Sequence, residues 1–245
     1  MPQLFTSPLS WRHQGRVLTR SPHQGQFGSS VVGDPCIVWD ETLGTRGGWR
    51  MILFADPPGH GQAISYKMHP ISAGDWELLG PLSFTNPEAI LGGPEGYTHK
   101  PFVVMDPQRP NQAACVNGRY YLLTVSFPRD HKVVQRAWST QLAGPWTIEP
   151  EVLIAPEDES AFDGKHIDAI SGYYFADREE FVYFYMGYPQ RAQDRRISPF
   201  GSAQGVATQR VGEARATRRG VILAPSEREG HWSSGYVGGF QLLPG

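Results

Sequence analysis

Three stretches of this chain repeat one pattern, and each puts a different polar residue at the matching place. They read Gly33-Asp34-Pro35-Cys36-Ile37-Val38, His99-Lys100-Pro101-Phe102-Val103-Val104 and His166-Ile167-Asp168-Ala169-Ile170. Aligned, they superpose Asp34, Lys100 and Asp168, which are 66 and 68 residues apart. A second apolar run follows each: Trp49 to Phe54, Tyr120 to Phe127, Phe181 to Met186. A later landmark recurs in step, at Trp76 to Leu82, Trp146 to Leu153 and, without its Trp, Thr217 to Leu223. A sheet-forming unit repeated at this spacing predicts blades arranged radially. The first strand of every blade then lines a central channel, so the repeat predicts Asp34, Lys100 and Asp168 at one site.

The texture between these landmarks supports an all-β fold. The chain has 28 Gly and 21 Pro, and 12% of its residues are aromatic. Turn residues separate short apolar or alternating runs, and no window keeps helical periodicity over three turns. Blade 1 is expected at Cys36 to Trp39, Arg50 to Ala55, Ala63 to Met68 and Trp76 to Phe84. Blade 2 is expected at Phe102 to Met105, Tyr120 to Val125, Val134 to Ser139 and Trp146 to Ile154. Blade 3 follows at Ile167 to Phe175, Phe181 to Gly187, Gly205 to Gln209 and Gly220 to Leu223. A fourth blade is expected to start over Trp232 to Leu243. The segment Trp11 to Leu18, within residues 1–30, has the pattern of a blade's last strand and is a candidate for closing the ring. The chain is therefore read as one propeller domain over residues 1–245, incomplete at its C-terminus. Closure by association with further copies is left open.

Composition narrows the partners. The formal net charge is -2 and no basic patch dominates, which argues against nucleic acid, since neutralising phosphates needs clustered Lys and Arg. No apolar run approaches the length of a membrane span, so no membrane partner is expected. Met1 to Arg20 carries no apolar signal-peptide core, and a cytoplasmic location is the expectation unless a leader was trimmed. The two cysteines, Cys36 and Cys115, lie in apolar runs and read as buried thiols, with a disulfide between them as the alternative. No Cys/His spacing suggests zinc.

At the repeats the chain resembles a known family. Gly33-Asp34-Pro35-Cys36-Ile37-Val38 followed by Trp49-Arg50-Met51-Ile52-Leu53-Phe54 is similar to the opening of the five-bladed propeller glycosidases of glycoside hydrolase family 43 and its relatives. Ile167-Asp168-Ala169-Ile170, then Phe175-Ala176-Asp177-Arg178-Glu179 and Val182-Tyr183-Phe184-Tyr185, resembles their third-blade segment. Ser139-Thr140-Gln141-Leu142-Ala143-Gly144-Pro145-Trp146 resembles a common inter-strand phrase ending in Gly-Pro-Trp. The resemblance covers roughly residues 30–240. It implies a five-bladed β-propeller with about three complete blades present, and about 100 residues missing on the spacing of the repeat.

The resemblance also implies a reaction, the inverting hydrolysis of a glycosidic bond in an oligo- or polysaccharide. Such a reaction needs one carboxylate to deprotonate water and a carboxylic acid across the sugar to protonate the leaving oxygen. Carried over by position, Asp34 is the general base, and Asp168 orients the acid and raises its pKa. Glu229, 61 residues after Asp168, is the candidate acid, with Glu227 as a neighbour that could replace it. Asp163 competes with Asp168, although Asp163-Gly164 reads as a turn.

The remaining candidates bind rather than react. His99 and Lys100 precede a buried strand. Lysine is rarely buried unpaired, so Lys100 must meet water, a carboxylate or an anionic sugar. His166 and His231 are placed near the channel axis, to hydrogen-bond substrate or, as the resemblance allows, to help hold an axial metal ion through water, with a structural role as the alternative. Trp39, Trp49, Tyr97, Tyr173, Tyr174 and Trp232 are candidates for stacking on sugar faces; most of them are expected to pack between sheets instead, and Tyr97 and Trp232 are preferred for the sugar because they border channel strands. No cofactor is expected beyond a calcium ion in the channel, which the resemblance allows. Two further functions compete with hydrolysis: a non-catalytic carbohydrate-binding propeller and a protein-interaction platform. A phosphorolytic variant would need basic residues at the site.

Overall fold

The computed structural model describes residue 18 and residues 27–56, 59–67, 75–92, 99–128, 130–156, 161–189, 201–226, 230–231 and 237–239. Among these residues the chain is all-β apart from one 3-10 turn at Pro87–Ala89. The strands make three four-stranded antiparallel sheets in propeller-like order, each a simple meander. The first holds β1 (Val31–Asp40), β2 (Gly48–Asp56), β3 (Gly59–Ser65) and β4 (Glu77–Pro81). The second holds β5 (His99–Val103), β6 (Tyr120–Ser126), β7 (Val133–Ser139) and β8 (Thr147–Ile154). The third holds β9 (His166–Phe175), β10 (Glu180–Tyr188), β11 (Ala203–Arg210) and β12 (Thr217–Leu223). Of the strands expected for the fourth blade and for ring closure, only Leu18, which packs on the first sheet, and residues 237–239, where Val237 N donates to Ser202 O at 3.1 Å, are among the described residues.

The inner strands start earlier than their apolar runs suggest: β1 at Val31 rather than Cys36, and β5 at His99 rather than Phe102. Pairing with the long, buried second strands carries these polar and Gly/Pro residues into the sheet. Inner strands also meet one another. Met105 donates its N–H to Gly172 O at 3.0 Å, and Tyr174 N donates to Met105 O at 3.0 Å. Trp39 N donates to Asn111 O at 2.8 Å.

The middle sheet is buried on both faces. Leu122 and Leu123 are adjacent, so their side chains leave opposite faces of β6, yet both are fully buried. Leu122 packs with Cys36, Val38 and Ile52 of the first sheet, and Leu123 with Ile167, Phe181 and Tyr183 of the third. Each such side chain contributes about 2 kcal/mol of transfer free energy. Arg136 of β7 crosses the second interface. Its Nε donates to Glu149 at 2.8 Å, its Nη1 to the Tyr183 hydroxyl at 3.2 Å, and its guanidinium lies 4.9 Å from the Tyr121 ring centre.

One expectation is corrected by this packing. Cys36 is a buried free thiol, but Cys115 is exposed and free, so the two neither pair nor share a core. Trp39 and Trp49 pack edge to face with ring centres 5.1 Å apart, Tyr173 lies between Phe102 and Phe184, and Tyr174 sits 4.9 Å from Phe181. These four rings are engaged between or within sheets. Tyr97 and Trp232 lie outside the described residues. No helix among the described residues is long and apolar enough to cross a membrane.

Each inner strand carries a β-bulge at the same place. Asp34 and Pro35 stand opposite one residue of β2, Lys100 and Pro101 opposite one of β6, and Ala169 and Ile170 opposite one of β10. The first bulge residue is left-handed every time, with φ of 48° at Asp34, 53° at Lys100 and 39° at Ala169. Bulges leave a residue outside the ladder, which is where a sheet accepts proline without losing a hydrogen bond. This shifts the sequence alignment by one. Asp34 and Lys100 match Ala169, whereas Asp168 matches His99 and Gly33. Matching by polar character picked Asp168 because the third bulge has no proline to mark it.

A left-handed conformation costs an L-residue roughly 1–2 kcal/mol. Ala169 has no functional group to offset that cost. Ala169→Gly should raise the unfolding free energy by about 0.5–1 kcal/mol after glycine's own entropy cost, and Ala169→Val should lower it. Chemical denaturation of the two variants checks both signs.

Candidate functional site

The bulges bend the mouths of the three inner strands around one pocket of about 430 Å³. Its wall includes Asp34 from the first sheet, Lys100 from the second, and Ala169, Ser171 and Met186 from the third. Gly238 closes part of it. A Cβ there would meet the Met186 sulfur, so glycine lets this segment lie flat on the third sheet. The volume falls within the range of small-ligand sites.

Asp168 lies beneath this wall, only 2% exposed. Lys132 Nζ is 2.6 Å from its Oδ2 and Lys100 Nζ is 3.0 Å from its Oδ1. The Ala169 N–H also donates to Oδ1, at 2.8 Å. Burial pushes the Asp168 carboxyl up, but Lys132 and Lys100 together outweigh burial and hold it below the ordinary aspartate range. Lys100 thus belongs to both layers: it lines the pocket and grips the buried carboxylate.

Lys132 was not legible in the repeat. It ends the β6–β7 hairpin, one residue before Val133, and reaches across to the third sheet. Its N–H donates to His166 Nδ1 at 3.2 Å, and its carbonyl accepts from Ile167 N at 3.1 Å. The only sequence signal was a lysine directly ahead of a buried strand, the same signal that marked Lys100.

His99 and His166 flank this centre in neutral form. His99 Nδ1 lies 3.9 Å from Asp168 Oδ1, too far for a hydrogen bond. Burial lowers the His99 pKa to about 4, with Asp168 opposing and the two lysines assisting. His166 is also lowered, first by burial and then by Lys165 and Lys132. Because His166 Nδ1 accepts a hydrogen bond, the neutral ring carries its proton on Nε2. His231 is half-buried. His60 of β3 is 5% exposed, with the His99 backbone beside its ring. Burial lowers its pKa to about 3.

The sequence candidates therefore divide. Asp34, Lys100, His99, His166 and Asp168 lie in or directly behind one pocket region. Asp163 is elsewhere, fully buried, accepting from the Tyr185 hydroxyl at 2.8 Å and from Arg218 at 3.2 Å. Glu229, Glu227, Tyr97 and Trp232 lie outside the described residues. A calcium ion does not fit the donor set at Asp168, whose two oxygens are already taken by ammonium and amide groups. No group of three or more His, Cys, Asp or Glu gathers among the described residues.

Several solved structures share this arrangement of sheets. A glycosyl hydrolase from Bacteroides ovatus superposes with a TM-score of 0.56 at 20% identity, over 84% of this chain and 56% of its own. The chain shares its fold with glycoside hydrolases. A structure described with the GH130 family of mannoside phosphorylases, which contains glycoside hydrolases that target β-1,2 mannosidic linkages in Candida mannan, gives a TM-score of 0.56 at 18% identity, over 84% of this chain and 57% of its own. An endo-1,4-β-xylanase from Bacteroides thetaiotaomicron gives 0.50 at 13% identity, over 87% and 64%. The chain thus spans between 56% and 64% of the length of these three. No protein-family model matches the sequence, and no curated protein is significantly similar to it.

Two stability predictions follow from the charges. Removing one partner of a buried ion pair strands the other charges, so Asp168→Asn should cost about 3–5 kcal/mol near neutral pH. Asp168 has a lowered folded pKa, so its contribution is complete above the ordinary aspartate value and disappears as pH falls through the folded value. The gap between wild type and Asp168→Asn in denaturant melts should close in strong acid. His60 works in the opposite range. The unfolded chain binds its proton below about 6.5, whereas the folded chain excludes it down to about 3, so stability drops as pH falls between these values. His60→Phe should reduce that slope by about 1.4 kcal/mol per pH unit, measured as unfolding free energy between pH 6.5 and 4.

Proposed function

We propose that this chain carries the sugar site of an inverting glycosidase, with the scissile bond held in the pocket between the three bulges. The observation that supports this most is the convergence of Asp34 and Lys100 on that pocket, from equivalent bulges of neighbouring sheets. Asp34 is exposed there and free to meet water, as a general base must be. Glu229 remains the assigned acid, on the family resemblance. The fold shared with glycoside hydrolases agrees with sugar as the substrate class.

Asp168 takes a different part from the one its sequence position implied. A carboxylate raises a neighbouring acid's pKa only by adding negative charge. Two ammonium groups cancel that charge here. Its role in this mechanism is to anchor Lys100 at the pocket wall, where the ammonium orients substrate oxygens.

Asp34→Asn should lower turnover of the responding substrate by about 10²–10⁴-fold, the usual worth of a positioned base, with the melting curve unchanged. The assay is release from chromogenic arabinosides, xylosides and galactosides, with the anomer of the first product read by NMR. Unaltered turnover in Asp34→Asn would remove the mechanism. Sugar binding without release in the wild type would make the chain a carbohydrate-binding module.

A further inference from the structure

The buried carboxylate at this site has more positive partners than it needs. One lysine would neutralise Asp168, yet Lys100 and Lys132 both contact it, at 3.0 and 2.6 Å. Two positive charges and one negative leave the trio with a surplus of one. Lys132 takes Oδ2 and is held by backbone bonds on both sides of its peptide, to His166 and Ile167. Lys100 shares Oδ1 with the Ala169 amide and is the member that lines the pocket. The surplus is therefore presented to the pocket through Lys100.

The surroundings do not dissipate it within the second layer. His99 and His166 pack beside the trio as neutral rings and supply no negative charge. Lys165 adds a further positive charge beside His166. Asp34 stands on the bulge of the neighbouring sheet, where it lines the same pocket. One side of the pocket thus offers a carboxylate and another an ammonium whose own counter-ion is already spoken for by Lys132. The two lysine side chains are 29% and 28% exposed, a partly desolvated setting in which a charge-assisted bond to an anion is stronger than at an open surface.

We infer that the pocket accepts a sugar residue bearing a carboxylate, a uronic acid, with its carboxylate on Lys100 and with Lys132 as the positioning residue that keeps the Lys100 charge uncompensated. This builds on the glycan site proposed above, but it concerns which sugar binds rather than whether a bond is cut. Neutral sugars lack the anion that would use the surplus charge.

The test compares acid and ester forms of the same ligands. Uronic-acid oligosaccharides and their methyl esters are titrated into the full chain by calorimetry at low salt, alongside Lys132→Met and Lys132→Arg. The acid form should bind about 10-fold tighter than its ester to the wild type. Lys132→Met should lose most of that acid-over-ester preference, and Lys132→Arg should keep it. A simple folding defect would weaken acid and ester alike. Equal affinity for acid and ester in the wild type, no binding of any acid ligand, or an undiminished preference in Lys132→Met would each overturn the inference. A third arm adds inorganic phosphate. If phosphate alone occupies the site and neutral glycosides turn over only in its presence, the anion is a co-substrate and the uronic-acid assignment fails. Acid-selective binding without hydrolysis would instead leave this inference standing and remove the glycosidase mechanism.

Discussion

A bulge is a local cost that all three described inner strands bear at the same height. Three non-glycine residues adopt left-handed backbone there, and the sheets tolerate it because the strands on either side are fixed by fully buried partners such as Ile52, Leu123 and Tyr183. Without the bulge the inner strands would run straight past the pocket, and their side chains would alternate between the two sheet faces. With it, Asp34 and Lys100 leave the ladder and line the pocket. The site is thus a product of backbone irregularity repeated by the fold, and the well-packed core is what makes the irregularity affordable.

The chemistry at this place is governed by charge balance more than by charge identity. Asp168 is so enclosed that its ionised form survives only through the lysines that grip it. Those lysines come from different parts of the second sheet, one from the bulge of β5 and one from the β6–β7 hairpin. The carboxylate therefore staples the second sheet to the third at two points, close to where the Lys132 backbone also bonds the His166 ring and the Ile167 N–H. Site electrostatics and inter-sheet cohesion are here the same set of contacts.

Much of the architecture was legible in the chain. Second strands such as Tyr120 to Ser126 and third strands such as Val133 to Ser139 are buried, so their apolar runs match the observed spans nearly residue for residue. First strands were read short, because their leading residues are Gly, Asp, His, Lys and Pro, which propensity assigns to turns. At the site, Asp-Pro and Lys-Pro marked the first two bulges through the residue that lacks an N–H. The third has Ala169-Ile170, and the alignment slid by one onto Asp168. Lys132 had no repeat to reveal it, since its role depends on a hairpin of one sheet reaching the next. His60 was silent for a related reason: nothing in Gly59-His60-Gly61 distinguishes an exposed turn histidine from a buried one.

The three bulge positions also differ in how much they commit. Asp34 and Lys100 fill theirs with charge, whereas Ala169 offers only a methyl group to the same pocket. The backbone already aims that position inward, so a functional group grafted there would face the pocket. Evolution or an engineer could retune the pocket's selectivity at this one codon, at the strain that a side chain meets in left-handed backbone.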